Sequence, residues 1–499
     1  MEIELQRTSS VLDRRRAGIL LHITSLPDSL GNGDIGHSAY RFIEFLAAAG
    51  VSVWQVLPLG PTHSDGSPYQ SLSSHAGNPM LISLDWLVDK GWLELPKLTD
   101  YAAPYSTYRS TCLRLACDGF LDCADQSSKQ DYEAFCRAHD YWLEDFALYT
   151  ALRHRFNGCS WQEWPTELRR REKESLLRVK QEFIGPVAQV KFEQFVFYQQ
   201  WRQLKEYANE KGVLVFGDMP IFVSEDSADV WAQQEYFNLD DDGRPRVVAG
   251  VPPDYFSESG QRWGNPQYNW KGMQVDGFSW WIDRLRSHLE LFDWVRIDHF
   301  RGFEAYWEIP ASEQTAINGR WVKAPGESLL QTLLKTFEGL PLIAEDLGII
   351  TPEVEALRNA FSLPGMKILQ FAFDGGADNY YLPHNHQPNC VVYTGTHDND
   401  TTLAWFDALS DELKTRVLNY LGVPGVAMPY ALVQSALAST AKLAVLPMQD
   451  VLGLGVGHRM NTPGTTEGNW NWRFSWDQLS EEMVGRLKYW TKIYGRSED

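Results

Sequence analysis

Positive charge is scarce in this chain. Its 499 residues carry 45 Lys and Arg against 65 Asp and Glu, a formal net charge of −20. Nucleic acids and anionic membranes are held by basic footprints, so neither is an expected partner. Cysteine is scarce too: Cys112, Cys117, Cys123, Cys136, Cys159 and Cys390 form no CxxC pair and show no zinc-ligand spacing. A disulfide framework does not suit a chain of this length, so they read as reduced thiols of a cytosolic (cytoplasmic) type of compartment. No apolar run is long enough to span a bilayer. Low-complexity tracts are missing, as are repeats beyond an alternation of strand and helix patterns. Arg14-Arg15-Arg16 ahead of AGILL imitates a secretory signal, but the apolar run is short, is broken by His22 and lacks a cleavage site. Glu2, Glu4 and Asp13 argue against a transit peptide, and the segment is expected to be the first strand.

Aromatic residues, by contrast, are plentiful, with 20 Trp, 21 Tyr and 24 Phe. Most belong in a core. A minority can offer flat apolar faces to the C–H faces of sugars.

The pattern that recurs is an apolar strand ending in a carboxylate. LVFGDMP closes on Asp218, DWVRIDHF on Asp298, LPLIAEDLG on Glu345 and Asp346, and VVYTGTHDND on Asp398. Eight strands are expected, at 17–23, 51–59, 213–221, 293–300, 341–347, 366–373, 390–398 and 444–453, with helical patterns between them. Eight strands alternating with helices predict a (β/α)8 TIM barrel, an α/β fold, in which acids at strand ends gather on one face. The chain is about twice the ~250 residues typical of that fold, so large loop insertions follow. The largest is a mainly helical subdomain, 86–195, between strands two and three. A second, 240–270, mixes Gly and Pro with Tyr255, Phe256, Trp263, Tyr268 and Trp270, and is expected to be an ordered active-site lid. A third, 460–473, follows strand eight. The whole of 1–499 reads as a single catalytic domain with insertions.

Strand side chains alternate faces. In DWVRIDHF this turns Val295 and Ile297 toward the helices and Arg296 and Asp298 into the barrel. An Arg beside that Asp is expected to hold it ionised, as a nucleophile must be. The competing reading is a structural Arg–Asp pair. Glu345 and Asp346 fall on opposite faces. The longer Glu345 suits an acid/base at the rim, and Asp346 suits an acidic N-cap for the next helix. His397 and Asp398 end a strand at a glycine-framed turn. Two carboxyl groups ~5–5.5 Å apart would give a retaining mechanism through a covalent glycosyl-enzyme, and wider spacing inversion.

These segments resemble the α-amylase clan, and within it the 4-α-glucanotransferase family (amylomaltases or disproportionating enzymes, glycoside hydrolase family 77). The resemblance runs through GILLHITSLP (18–27), GSPYQSLSSHAGNP (66–79), GDMPIFV (217–223), AGVPPDYFSESGQRWGNPQYNW (249–270), RIDHFRGF (296–303), NGRWVKAPGE (318–327), AEDLG (344–348), YTGTHDNDT (393–401) and RMNTPGTTEGNWNWR (459–473). It implies Asp298 as nucleophile, Glu345 as general acid/base and Asp398 as transition-state stabiliser. Arg296 and His397 would flank the sugar at the cleavage point. Asp218, Ser67, Tyr69 and His299 would line the same subsite, with the Tyr69 ring as a stacking platform. Trp263 would arch over the cleft, and Asn469 and Trp470 would close its other side. The partners implied are maltooligosaccharides and α-1,4-glucans such as starch, amylose and glycogen, as donor and acceptor. No metal or other cofactor is expected, and no EF-hand spacing is present. One departure is His75, where an apolar residue is common in the family.

Two other readings stay open on these residues. One is an α-glucan hydrolase with the same acids and easier access for water. The other is a catalytically silent glucan-binding protein, against which the presence of Asp298, Glu345 and Asp398 argues. A phosphate-binding barrel would want a Gly-rich loop after strands seven and eight, which GLGVGH (453–458) imitates only weakly.

Overall fold

The computed structural model describes residues 10–27, 31–96, 105–253, 257–422 and 425–497. Glu2, Glu4, Tyr255 and Phe256 lie outside them. Among the described residues twelve strands form. They are β1 (Arg16–Leu20), β2 (Val53–Gln55), β3 (Leu214–Pro220), β4 (Val247–Val251), β5 (Gln261–Pro266) and β6 (Trp294–Asp298). The remainder are β7 (Ala305–Pro310), β8 (Arg320–Lys323), β9 (Leu342–Ala344), β10 (Gly365–Ile368), β11 (Cys390–Tyr393) and β12 (Leu443–Pro447).

Eight of them make one sheet in the order β10-β11-β12-β1-β2-β3-β6-β9, with every pairing in it parallel. The ends of that order, β9 and β10, are consecutive in the chain and meet: Ala344 N–H donates to Pro364 O at 2.8 Å. Met366 N–H donates to Asp346 Oδ1 at 2.6 Å, so a side-chain carboxylate supplies an acceptor at the seam. The sheet is a (β/α)8 barrel. Its strands are buried on both faces, which is why they read as apolar runs.

All eight expected strands appear, several shorter than expected. The sixth ends at Ile368 and turns into a 3₁₀ helix, Leu369–Phe371. The eighth ends at Pro447, and Met448–Val451 is a short helix. In each case apolar residues past the ladder are still buried (Leu369, Ala372 and Phe373 after the sixth strand, Met448 and Val451 after the eighth), although Phe371 is exposed.

Between β2 and β3 lie the helices Tyr105–Cys123, Gln126–Ala138, Asp140–Arg155, Lys173–Glu182 and Ile184–Glu210, among shorter turns. The last runs 27 residues without a break across position 195, so this helical layer has no seam with the barrel there. Two glutamines dock it. Gln194 exchanges paired hydrogen bonds with the backbone of Gly77, and Gln200 does the same with Ser83.

The stretch 240–270, expected to be ordered, contains β4 and β5. These join β7 and β8 in an antiparallel sheet of order β5-β4-β7-β8, built from the loops that follow β3 and β6. Among the described residues no helix is long and apolar enough to cross a membrane.

Candidate active site

The chemistry begins with register. Asp218 on β3 pairs directly with Arg296 on β6, so the two side chains share the interior face. Val295 and Ile297 are buried on the opposite face, as alternation requires. The Arg296 guanidinium donates to Asp218 Oδ2 at 2.6 Å and to Asp298 Oδ1 at 2.8 Å, and Tyr69 Oη donates to Asp218 Oδ2 at 2.7 Å. The two acids differ in access: the Asp218 side chain is 0% exposed and that of Asp298 29%. Asp218 is therefore the structural partner of Arg296, and Asp298 is the acid that reaches the cleft. Gly217 beside them is required by space, because a Cβ there would meet the Phe292 ring at 2.2 Å.

Glu345 follows β9 directly. Its Oε2 accepts His299 N–H at 2.6 Å and its Oε1 accepts Leu347 N–H at 2.9 Å. His299 presents that N–H from a left-handed backbone, φ 55°, a strained conformation for a non-glycine residue. Asp346 turns the other way. It is not an N-cap, since Thr351 precedes the helix Pro352–Ala360; it binds Met366 N–H and pairs with Arg358. A cap was expected because an acid before a helix is common there. Closing the barrel seam took the carboxylate instead.

Asp398 stands on the turn after β11. Asn461 Nδ2 donates to its Oδ1 at 2.6 Å, and His397 Nε2 lies 3.3 Å from its Oδ2. Arg459 donates to its backbone carbonyl. The His397 ring stacks on Tyr69 with centroids 5.1 Å apart and planes at 17°, and Trp470 lies 6.0 Å from both. Trp470, like His299, has a left-handed backbone, φ 64°.

One cavity of about 650 Å³ collects these groups. Ser67, Tyr69, Trp263, Arg296, Asp298, His299, Glu345, His397, Asp398 and Trp470 all line it. Asp218 lies beneath, behind Arg296. Asn469 does not line the cavity either: its amide donates to Thr465 and its Oδ1 accepts Thr462 N–H, so it shapes the wall from behind. Trp263 on β5 sets its ring edge against His299, centroids 4.8 Å apart. His75 does not line this cavity; it is buried, with Nδ1 2.9 Å from Ser287 Oγ and its ring stacked on Trp142. Sequence reasoning did not single out Asn461, Gln261, Thr465 or Thr466, which also line the cleft. Their signal was membership of the quoted motifs at 249–270 and 459–473.

Electrostatics divides the acids. Burial raises both Asp298 and Glu345 above the ordinary carboxyl range. Arg296 opposes this at both sites without cancelling it: it favours the ionised form of Asp298, as expected of an adjacent Arg, but burial outweighs it and the carboxyl stays above its ordinary range. Glu345 is raised further. Glu345 therefore holds its proton to higher pH than Asp298, and between the two ranges Asp298 is ionised while Glu345 is protonated. Burial works against ionisation of Asp398 too, but His397, the Asn461 amide and Arg296 overcome it and hold its carboxyl well below the usual range. Burial pushes His299 down to about 3, so it is a neutral imidazole. An ionised acid, a protonated acid and a firmly anionic third carboxylate around one cavity can attack a carbon centre, protonate a leaving oxygen and stabilise positive charge.

Comparison with known proteins agrees in extent. A family model described as 4-alpha-glucanotransferase (Glyco_hydro_77) matches residues 21–479. The 4-alpha-glucanotransferase of Thermus thermophilus is 51% identical over 488 residues, covering 95% of this chain and 97% of that protein. That of Synechocystis sp. is 48% identical over 500 residues, covering 97% and 99%. Among solved structures, the amylomaltase from Streptococcus agalactiae in complex with acarbose superposes with a TM-score of 0.92 at 39% identity, covering 97% of this chain and 100% of that one.

Proposed function

The chain belongs to the 4-alpha-glucanotransferase family and has that activity; from this premise we propose that Asp298, Glu345 and Asp398 carry it by a retaining double displacement. The observation that carries the reading is the gathering of three carboxyl groups around one cavity, supported by the stronger upward shift of Glu345 and the downward shift of Asp398.

Glu345 protonates the 4-oxygen leaving from an α-1,4-glucan while Asp298 attacks C1. The reducing-end piece departs, and the donor remains as a glycosyl-enzyme. Glu345, now deprotonated, takes the proton from the 4-hydroxyl of a second glucan, which displaces Asp298 with net retention. Asp398 stabilises the oxocarbenium-like charge between these states. Arg296 and His397 flank the sugar, Asp218 braces Arg296 from below, and the Tyr69 hydroxyl holds Asp218 while its ring faces the cleft. Ser67, His299 and Trp470 contact the same unit, Trp263 covers it, and Asn469 keeps the Trp470 wall in place.

Donor and acceptor are maltooligosaccharides and longer α-1,4-glucans. The six cysteines, none in a disulfide, support a reducing compartment such as the cytoplasm. Transfer in place of hydrolysis is favoured because the lid sheet sets Trp263 over the cleft, where it can exclude water while an acceptor stacks.

Incubation with maltotriose alone tests the reading. Glucose together with chains longer than the input is the expected result. Glucose and maltose with nothing longer would make the enzyme a hydrolase.

A further inference from the structure

One strand-end carboxylate has no part in this scheme. Asp450 follows β12 in the helix Met448–Val451, at the same end of the barrel as Asp298, Glu345 and Asp398. It is 1% exposed and does not line the catalytic cavity. Burial raises its carboxyl above the ordinary range, and the nearby charge of Asp400 adds to this. What stabilises it is three donors. Thr394 Oγ1 and Thr402 Oγ1 each donate to Oδ2 at 2.6 Å, and Thr402 N–H donates to Oδ1 at 2.8 Å.

Those donors sit at the two ends of one loop. Thr394 is the first residue after β11, and Thr402 opens the helix Thr402–Ala408. Between them the chain leaves the barrel, presents His397 and Asp398 to the cleft, and returns. Other contacts brace the middle of this excursion: Asn399 Oδ1 accepts Thr396 N–H at 2.9 Å, and Gln370 Nε2 donates to Asp400 O at 2.9 Å. Asp450 ties its ends together. A buried carboxylate left without donors is strongly unfavourable, so the three bonds form together or the loop ends move.

We propose that Asp450 is a positioning residue for the transfer reaction, clamping segment 394–402 so that Asp398 and His397 meet the sugar at C1. The proposal rests on the reading of Asp398 as stabiliser. A carboxylate accepts on both oxygens with all three donors in place. An Asn of the same size keeps Thr402 N–H on its oxygen only by turning its –NH₂ to both threonine hydroxyls, which must then rotate to accept, so the charge is lost and two of the three bonds reverse.

The test is a set of variants assayed for maltotriose disproportionation, with thermal melts. Asp450→Asn is expected to lower kcat about 100-fold, the scale of a displacement near 1 Å in a catalytic group, with little change in KM. Thr402→Val, which keeps volume and removes the hydroxyl, is expected to lower kcat about tenfold, and Thr402→Ser to restore it. The decisive comparison is Asp398→Asn with and without Asp450→Asn, using maltosyl fluoride as donor. Because Asp450 acts through Asp398 and also holds His397, the double variant is expected to turn over only slightly more slowly than Asp398→Asn alone, a loss far short of the product of the two single losses. Full additivity, or unchanged kcat per folded molecule in Asp450→Asn, overturns the proposal while leaving the catalytic reading intact. Wild-type turnover in Asp398→Asn overturns both. If Asp450→Asn does not fold, the same cycle is run with Thr402→Val.

Discussion

The floor and the wall of the cleft hold their acids by different means. On the floor, Asp298 is placed by a strand: alternation along β6 and the pairing of Asp218 with Arg296 determine where it points. On the wall, Asp398 sits on a turn, and its hydrogen bonds come from distant positions: Asn461, 63 residues further on, and Arg459, 61 further on. Backbone pairing resists displacement because moving one residue breaks a ladder. A turn held by side chains is only as rigid as its partners. The floor thus tolerates loss of a contact in the cleft but not loss of its buried ion network, and the wall depends on each bond.

The largest effect expected is on the floor. Asp298→Asn is nearly isosteric and leaves the Arg296–Asp218 pair, so turnover is expected to fall by at least about 10⁴-fold with an almost unchanged melting temperature. Substantial residual activity, measured by glucose release from maltotriose, would remove Asp298 from the mechanism. Asp218→Ala reverses the balance. It breaks a buried ion pair and is expected to cost about 3–5 kcal/mol in denaturant unfolding. A smaller loss than for Asp298→Asn would break the distinction drawn between the two acids.

Glu345 tests the division of protons. Glu345→Gln is expected to lower turnover of natural glucans by about 10²–10⁴-fold, and an activated fluoride donor to leave a glycosyl adduct visible by mass spectrometry. In the parent enzyme kcat/KM should follow a bell. Activity falls toward acid pH as Asp298 gains a proton and toward alkaline pH as Glu345 loses one. Because burial raises both, the acid limb should lie above the ordinary carboxylate range. A flat profile down through that range would contradict the assignment.

The wall predicts a middle-sized effect. Asn461→Ala removes one of the donors holding Asp398 and is expected to reduce kcat about tenfold, with the acid limb unmoved because Asp298 sets it. The smallest effect belongs to the lid. Trp263→Ala is expected to raise the ratio of hydrolysis to transfer a few-fold, read as free reducing ends against chain-lengthened products. An unchanged ratio would mean that another part of the lid excludes water.

Much of this was legible in the chain before folding was considered, but unevenly. The eight strands, the inward turn of Arg296 and Asp298, and the gathering of acids on one face follow from alternation, whose period of two needs no information from elsewhere. Alternation also put Glu345 and Asp346 on opposite faces, and side-chain length, not period, favoured Glu345, the one that lines the cavity. Asp346 as a cap was not, because its partner Met366 joins it only when β9 and β10 close the barrel. Asn461 and Asp450 were invisible as partners of the 394–402 turn, since nothing local ties them to residues 48 to 63 positions away. The organisation of 240–270 as half of a sheet likewise depended on β7, a strand from a different loop.

What the sequence by itself determined is the barrel and the direction of its side chains, because strand periodicity and apolar burial act along the chain. Only the tertiary structure decided which buried acid keeps a proton, which merely braces Arg296 and which clamps a loop. Those properties arise from desolvation and from donors that converge across the fold, and neither exists until the strands have closed.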